Sequence, residues 1–380
     1  MIDTLVANRR PGNAKSMLSA PPRSSETPAT VDPAATAARH ARGEVCKSES
    51  TNVSAPRVSV LMAVYNGAHK VARSVQSILD QHFDDLELIV VNDGSTDATA
   101  ETLAGFDDPR LRVVNQTHRG LTASLNVAYA LARGALLARQ DAGDVSAPDR
   151  LARQVALLDA QPRVGLVSTW AVMCLPDGRP FQTERRPVGN AAIQARLTVE
   201  NCVFGAAAVF RRAAVEAVGP YRESFRYAQD YDLHLRIAEA FELANIPEVL
   251  YKCEAPLDAG ISLANVAEQE VYARVARELA TRRRAGGAVP DDDEVAALCR
   301  ERVAQLCEAD RRRYQVRSLD RWARSLWAHG FRGPSLALFA RCLQRTAAHP
   351  SAWAATARSV GGFACLLARR KIKHLAGQPS

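Results

Sequence analysis

Four short stretches carry the side chains best suited to chemistry: Val58-Ser59-Val60-Leu61-Met62-Ala63-Val64-Tyr65-Asn66, Val90-Val91-Asn92-Asp93-Gly94-Ser95-Thr96-Asp97, Ala138-Arg139-Gln140-Asp141-Ala142-Gly143-Asp144 and Gln229-Asp230-Tyr231-Asp232-Leu233-His234-Leu235-Arg236. The first three join an apolar run to amides or carboxylates, as a strand does where it ends in a ligand-binding loop. Carboxylates grouped like Asp141 and Asp144 can hold a hard divalent cation. A carboxylate at a helix start, such as Asp230, can take a proton from a hydroxyl. Each group also has a structural reading: Asp144 as a turn residue, Asp230 as a helix cap, Tyr65 as an aromatic at the core edge. Gly94 permits a tight turn, after which Ser95 or Thr96 can cap a helix. No Gly-x-Gly-x-x-Gly follows the first strand, which argues against a dinucleotide held in the Rossmann manner.

The elements that would position these groups follow a regular alternation. Apolar runs predict strands at 58–64, 86–92, 111–115 and 135–140, separated by helical patterns at 68–80, 97–105 and 120–133. That rhythm is the mark of a parallel, doubly wound α/β sheet. Pro148-Asp149-Arg150 opens a further helix with Leu151, Val155 and Leu158 on one face, and a strand follows at 164–173. From Asn201 the pattern is mixed, with a helix at 212–218 stopped by Gly219-Pro220, where a turn can present small residues to a ligand. Residues 229–241 read as a strong helix on which Asp232 and Arg236 pair, and His234 reads as a packed histidine. A strand or extended cover follows over 241–251.

Composition bounds the whole. The 380 residues are 47% apolar, enough for one large α/β domain and a smaller unit. The net charge of +8 favours acidic partners, but 49 basic and 41 acidic residues are interspersed, so nucleic acid is not implied. Eight cysteines without a CxxC pair or nearby histidine spacing read as reduced thiols rather than a zinc site or disulfide framework. Residues 1–55, rich in Ala, Pro, Ser, Thr and Arg, read as a disordered leader without a secretory signal, and the chain has no apolar run of the roughly 18 residues that a spanning helix needs. After residue 263 the sequence turns helical and basic; the acidic run Asp291 to Glu294 suits a helix start, and Trp327 to Pro350 reads as a helical hairpin rather than a lone repeat.

Taken in order, the four stretches resemble family 2 glycosyltransferases of the bacterial polysaccharide type, over about residues 57–262. The resemblance implies a GT-A type nucleotide-sugar-binding domain over 56–262, an α/β fold with a mainly parallel twisted sheet, followed by a helical C-terminal region over 263–380. It implies an inverting transferase that moves a sugar from a nucleoside diphosphate sugar to a hydroxyl of a glycan or lipid-linked acceptor. Ala63, Val64, Tyr65, Asn92, Asp93, Leu121, Asn126 and Gln229 would then contact substrate, Asp141 and Asp144 would hold a divalent metal (Mn or Mg), and Asp230 would be the catalytic base. Pro148-Asp149-Arg150-Leu151 and Gln154 extend the match. The chain departs from the family pattern at Asn92, at Gly143 where an Asp is usual, at Gln229, and in a missing histidine near Tyr251-Lys252-Cys253-Glu254, for which Ser262 could stand in. These departures keep a non-catalytic, glycan- or nucleotide-sugar-binding relative as the alternative. The expected setting is cytoplasmic, in polysaccharide assembly for the cell envelope. Peripheral contact with the inner face of the membrane would come through the basic, amphipathic run 353–375.

Overall fold

The computed structural model of the chain describes residues 55–255 and 265–347. The leader, Ser262 and the amphipathic run 353–375 lie outside the described residues.

The strands form one nine-stranded sheet in the order β3-β2-β1-β4-β8-β6-β9-β5, with β7 beside β6. Its first half contains β1 (Val58–Val64), β2 (Leu86–Asp93), β3 (Leu111–Gln116) and β4 (Leu136–Arg139), all parallel. The helices α1 (Val71–Leu79), α2 (Thr99–Ala104) and α3 (Leu121–Leu131) are the crossovers that parallel pairing requires. Because helices cover both faces, these strands bury both, and alternate residues feed two cores. Val58, Val60, Met62 and Val64 join one cluster, and Leu61 joins the other.

The second half departs from the mainly parallel sheet the alternation predicts. After β5 (Val145–Ser146) and α4 (Arg150–Ala160) come β6 (Val164–Cys174), β7 (Pro180–Glu184), α5 (Asn190–Leu197), β8 (Val209–Arg211), α6 (Arg212–Val218), α7 (Gln229–Ala240) and β9 (Glu242–Glu254). β9 runs parallel to β6, whereas β5, β7 and β8 enter antiparallel. The sheet is therefore mixed. The insertion of β8 has a direct consequence, because Arg139 N donates to Ala208 O at 2.8 Å. The turn that precedes β8 must then sit at the C-terminal end of β4.

The C-terminal helices are α8 (Val266–Arg284), α9 (Asp292–Ala304), α10 (Glu308–Ala328) and α11 (Arg332–Ala347). Asp291 and Glu294 close a capping box at the start of α9, as the acidic run suggests. α8 lays Tyr272, Val275 and Leu279 into the core that also holds Tyr231 and Leu235 of α7. The α10–α11 hairpin packs Val316, Leu319, Ala323 and Leu338 on Met173, Leu175 and Phe181.

One buried ion pair sets α7. Asp232 is fully buried and accepts from Arg236 Nε at 2.9 Å, with Arg222 at 3.7 Å. Arg236 also donates to the carbonyls of Val218, Gly219 and Pro220, so it ties the end of α6 to the middle of α7. Removing the acid would leave a buried guanidinium without its counter-charge. Asp232→Ala is expected to lower stability in chemical denaturation by about 3–5 kcal/mol. Arg196→Ala, which breaks the exposed Arg196–Glu200 pair, should stay within about 0.5 kcal/mol of wild type.

Candidate active site

The C-terminal ends of β1, β2 and β4, the turn Gly205–Ala207 and the start of α7 enclose a cleft of about 1320 Å³. Its two ends differ in chemistry.

At one end the loop after β1 is clasped by the loop after β2. Asn66, in the left-handed region at φ 48°, accepts from Thr96 N at 2.8 Å through Oδ1, and its own N–H donates to Ser95 Oγ at 2.9 Å. Gly67 N donates to Thr99 Oγ1 at 2.9 Å. Ser95 and Thr96 thus bind the neighbouring loop, and α2 starts from Ala98 with no side-chain cap, which corrects the expected capping role. The clasp leaves Tyr65 48% exposed, packed against His118 with ring centroids 4.2 Å apart and the rings tilted by 34°. Asp93 holds His118 there. Its carboxylate accepts from Arg119 N and Gly120 N, both at 2.8 Å, and from Gln116 Nε2 at 2.7 Å, while His118 Nδ1 lies 2.9 Å from Oδ2. Burial alone would raise the Asp93 pKa, but these hydrogen bonds outweigh it and hold the carboxyl below the ordinary value. Ala63, Val64 and the 44% exposed Leu121 complete this apolar, aromatic-edged wall.

At the other end stands Asp230. The residue before α7, Ala228, is left-handed at φ 55°, and the turn brings the Asp230 carboxylate to the cleft. Oδ2 accepts from Asn201 Nδ2 at 3.1 Å, and Oδ1 accepts from Tyr231 N at 2.8 Å. The N-cap is Ala228, with no side-chain cap, so Asp230 lies in the first turn and faces the cleft instead of capping the helix. Gly205 is required beside it, since a Cβ there would come within 2.6 Å of Asp230 Oδ2. Behind it, His234 is fully buried, stacked on Phe210, with Nδ1 3.2 Å from Asn201 Oδ1. Burial pushes the His234 pKa down to about 4, so the ring is neutral and orients Asn201 toward Asp230. Gln229 also lines the cleft.

Between the two ends lies the loop after β4. Asp141 faces the cleft and ion-pairs with the buried guanidinium of Arg139, which also reaches Tyr221 Oη at 3.3 Å. Asp144 is 8% exposed and accepts from Glu254 N at 3.3 Å, and burial, with Asp141 close by, pushes its carboxyl up to about 7. Gly143, at φ +107°, contributes no side chain. No cluster of three or more His, Cys, Asp or Glu side chains forms a cation site among the described residues. The donor set is therefore a single cleft-facing carboxylate already shared with an arginine, which does not by itself make a divalent-ion site; an ion would need substrate phosphates as further ligands.

Asn92 and Asn126 are engaged away from the cleft wall. Asn92 donates to Asn115 Oδ1 at 2.9 Å and accepts from Ser95 N at 3.3 Å, and Asn126 donates to Tyr221 O at 2.9 Å. Conversely, the cleft contains His118, Lys70, Arg139, Asn201 and Gly205, which sequence reading did not single out. Arg139 lay inside a quoted motif, and Asn201 and Gly205 lay in the mixed segment that begins at Asn201, without a role given to either. Lys70 and His118 sit in loops whose approach to the motifs depends on strand order.

Residues 59–219 match the model of glycosyl transferase family 2. EpsE of Bacillus subtilis (strain 168), named as a glycosyltransferase, is 34% identical over 213 residues, which are 54% of this chain and 76% of that protein. The chain belongs to glycosyl transferase family 2. This family 2 enzyme is also similar to an Escherichia coli chondroitin synthase, 27% identical over 202 residues, 52% of this chain but 28% of the synthase. Among solved structures, the mannosyltransferase PcManGT from Pyrobaculum calidifontis in complex with GDP-Man and Mn2+ superposes with a TM-score of 0.47 at 24% identity, over 80% of this chain and 84% of that one. In this glycosyltransferase the aromatic wall of Tyr65 and His118 and the carboxylate of Asp230 line one cleft.

The neutral His234 makes the fold acid-sensitive. Its pKa is lower in the folded state than the ordinary value near 6.5, so its contribution to stability is complete above about 6.5 and is lost as pH falls toward 4. Between pH 7 and pH 5 this group alone should remove about 2 kcal/mol of stability. Denaturation of wild type and His234→Gln at both pH values checks this; the substituted protein should show a shallower loss by that amount.

Proposed function

We propose that the protein is an inverting transferase that carries a sugar from a nucleoside diphosphate sugar to a hydroxyl of a glycan or lipid-linked acceptor. The observation that carries this reading is Asp230, a carboxylate held by Asn201 in the same cleft as the Tyr65–His118 pair. The base and ribose of the donor lie against Tyr65, Ala63 and Val64, with the Asp93-braced loop alongside. The sugar then points toward Asp230.

The acceptor hydroxyl gives its proton to Asp230 as its oxygen attacks the anomeric carbon. The bond from that carbon to the diphosphate oxygen breaks on the opposite face, and the electron pair leaves with the nucleoside diphosphate. One displacement inverts the anomeric centre without a covalent enzyme intermediate. Asn201, oriented by neutral His234, keeps the carboxylate aimed, and Gly205 leaves room for the acceptor beside it. A divalent ion bound together with the diphosphate would meet Asp141 and supply positive charge to the leaving group. The similarity to a chondroitin synthase supports a growing glycan as acceptor. No described helix is long and apolar enough to cross a membrane. A cytoplasmic enzyme meeting a lipid-linked acceptor at the membrane surface agrees with the basic run 353–375.

Calorimetric titration of uridine, guanosine and thymidine diphosphate sugars, followed by transfer assays, tests the reading. One donor should bind, and Asp230→Asn should lower kcat by about 10²–10⁴-fold while donor affinity stays within about twofold. Undiminished kcat in Asp230→Asn would remove it as the base.

A further inference from the structure

Beside the loop after β4, a cation from the loop after β1 faces the cleft. Lys70 ends the loop after β1 and stands at the start of α1, where its N–H donates to Gly67 O at 3.0 Å. Its side chain crosses to the loop after β4 and fills the space beside Gly143. A Cβ on Gly143 would lie 2.8 Å from Lys70 Cδ, 3.3 Å from Cε and 3.5 Å from Nζ. The lysine stem thus occupies the room that a side chain at residue 143 would need, and the positive φ there favours the glycine further.

The neighbouring cations differ from Lys70. Arg139 is paired with Asp141, and Arg73 donates to Gly143 O at 3.0 Å and to Glu254 at 2.6 Å. Lys70 lines the cleft, and its ammonium has no hydrogen-bond or ion-pair partner among the described residues. The Gly143 loop is also fixed to α1, since Gly143 N donates to Ser74 Oγ at 2.8 Å. The loop and the helix that carries Lys70 are therefore joined, and the lysine stem packs along the loop beside Gly143. In the sheet, β1 stands between β2 and β4, and β4 stands beside β8. A donor spanning from Tyr65 to Asp230 must lay its diphosphate across the ends of β1 and β4, where Lys70 stands; the other cleft cations without an ion pair, Arg226 and Arg321, belong to the segment before α7 and to α10.

We propose that Lys70 binds the diphosphate of the donor and stabilises the charge that develops on it as the glycosidic bond breaks, so that transfer does not require a divalent cation. An ammonium whose stem packs on the loop, in a partly enclosed cleft, does the electrostatic work of a Lewis acid without needing the carboxylate cluster that this loop lacks. The bond changes are those of the displacement above: Lys70 keeps its proton, and the leaving oxygen departs as diphosphate against it. The inference rests on the donor-binding reading of the cleft.

The test is calorimetry of the full chain with the nucleoside diphosphate that wild type prefers and with the matching nucleoside, in EDTA and again in manganese, for wild type, Lys70→Ala and Lys70→Arg. Wild type should bind the diphosphate in EDTA. Lys70→Ala should weaken the diphosphate by about 10–100-fold and leave the nucleoside within twofold, with Lys70→Arg in between, and wild-type transfer should persist in EDTA. Diphosphate affinity in Lys70→Ala equal to wild type, or transfer that stops in EDTA and returns with manganese, overturns the role of Lys70 while leaving the donor site standing. Failure of wild type to bind any nucleoside diphosphate under either condition overturns both.

Discussion

The cleft depends on the direction in which β8 enters the sheet. A strand placed between β4 and β6 could have paired either way, but antiparallel pairing carries the preceding segment to the C-terminal end of β4. That is the end where the parallel half of the sheet opens its loops, and where open α/β sheets take ligands. Asn201 and Gly205 therefore arrive beside the Asp141 loop instead of at the opposite edge. The backbone bond from Arg139 N to Ala208 O closes the seam. Without it, Asp230 would have neither the amide that aims it nor the glycine that leaves it space.

Around that seam, charge is handled in two distinct ways. Three buried groups are matched: Asp232 with Arg236, Glu87 with Ser59 and Arg133, Arg139 with Asp141. These contacts hold elements in register, and the cost of burying each ion is offset by a partner and hydrogen bonds. The cleft instead leaves Lys70 unmatched and Asp230 only partly engaged. Unmatched charge on a rigid wall is stabilising only when a ligand brings its complement, so the same physics separates scaffold from site.

The loops around Tyr65 show how polar side chains can serve a neighbour instead of their own helix. Ser95, Thr96 and Thr99 have the types that cap helices, yet their hydroxyls and amides meet Asn66 and Gly67 of another loop. Asp93 likewise spends its carboxylate on the backbone of residues 119 and 120 and on Gln116. The result is a stiff mount for Tyr65 and His118, which lowers the entropy lost when a flat ring is bound.

Much of this was determined by the sequence alone, through local physics. The short apolar runs and the helical repeats set β1 to β4, α1 to α3, and α7 within a few residues, because burial on both faces of a parallel strand leaves a continuous apolar signature. The i,i+4 spacing of Asp232 and Arg236 fixed their pairing, and the acidic run fixed the start of α9. The four motifs identified the family and pointed to Asp93, Asp141 and Asp230. What required the tertiary structure was everything set by strand order and by which side of a loop faces inward. β8 is three residues long, too short for periodicity to reveal its direction. Asp141 and Asp144 are three apart on one loop, yet one faces the cleft and the other is sealed beneath Glu254. Lys70 and Gly143 are 73 residues apart in the chain, and no local rule links them. They meet because β1 and β4 are neighbours in the sheet, and hydrogen-bonded neighbourhood is a property of the whole fold.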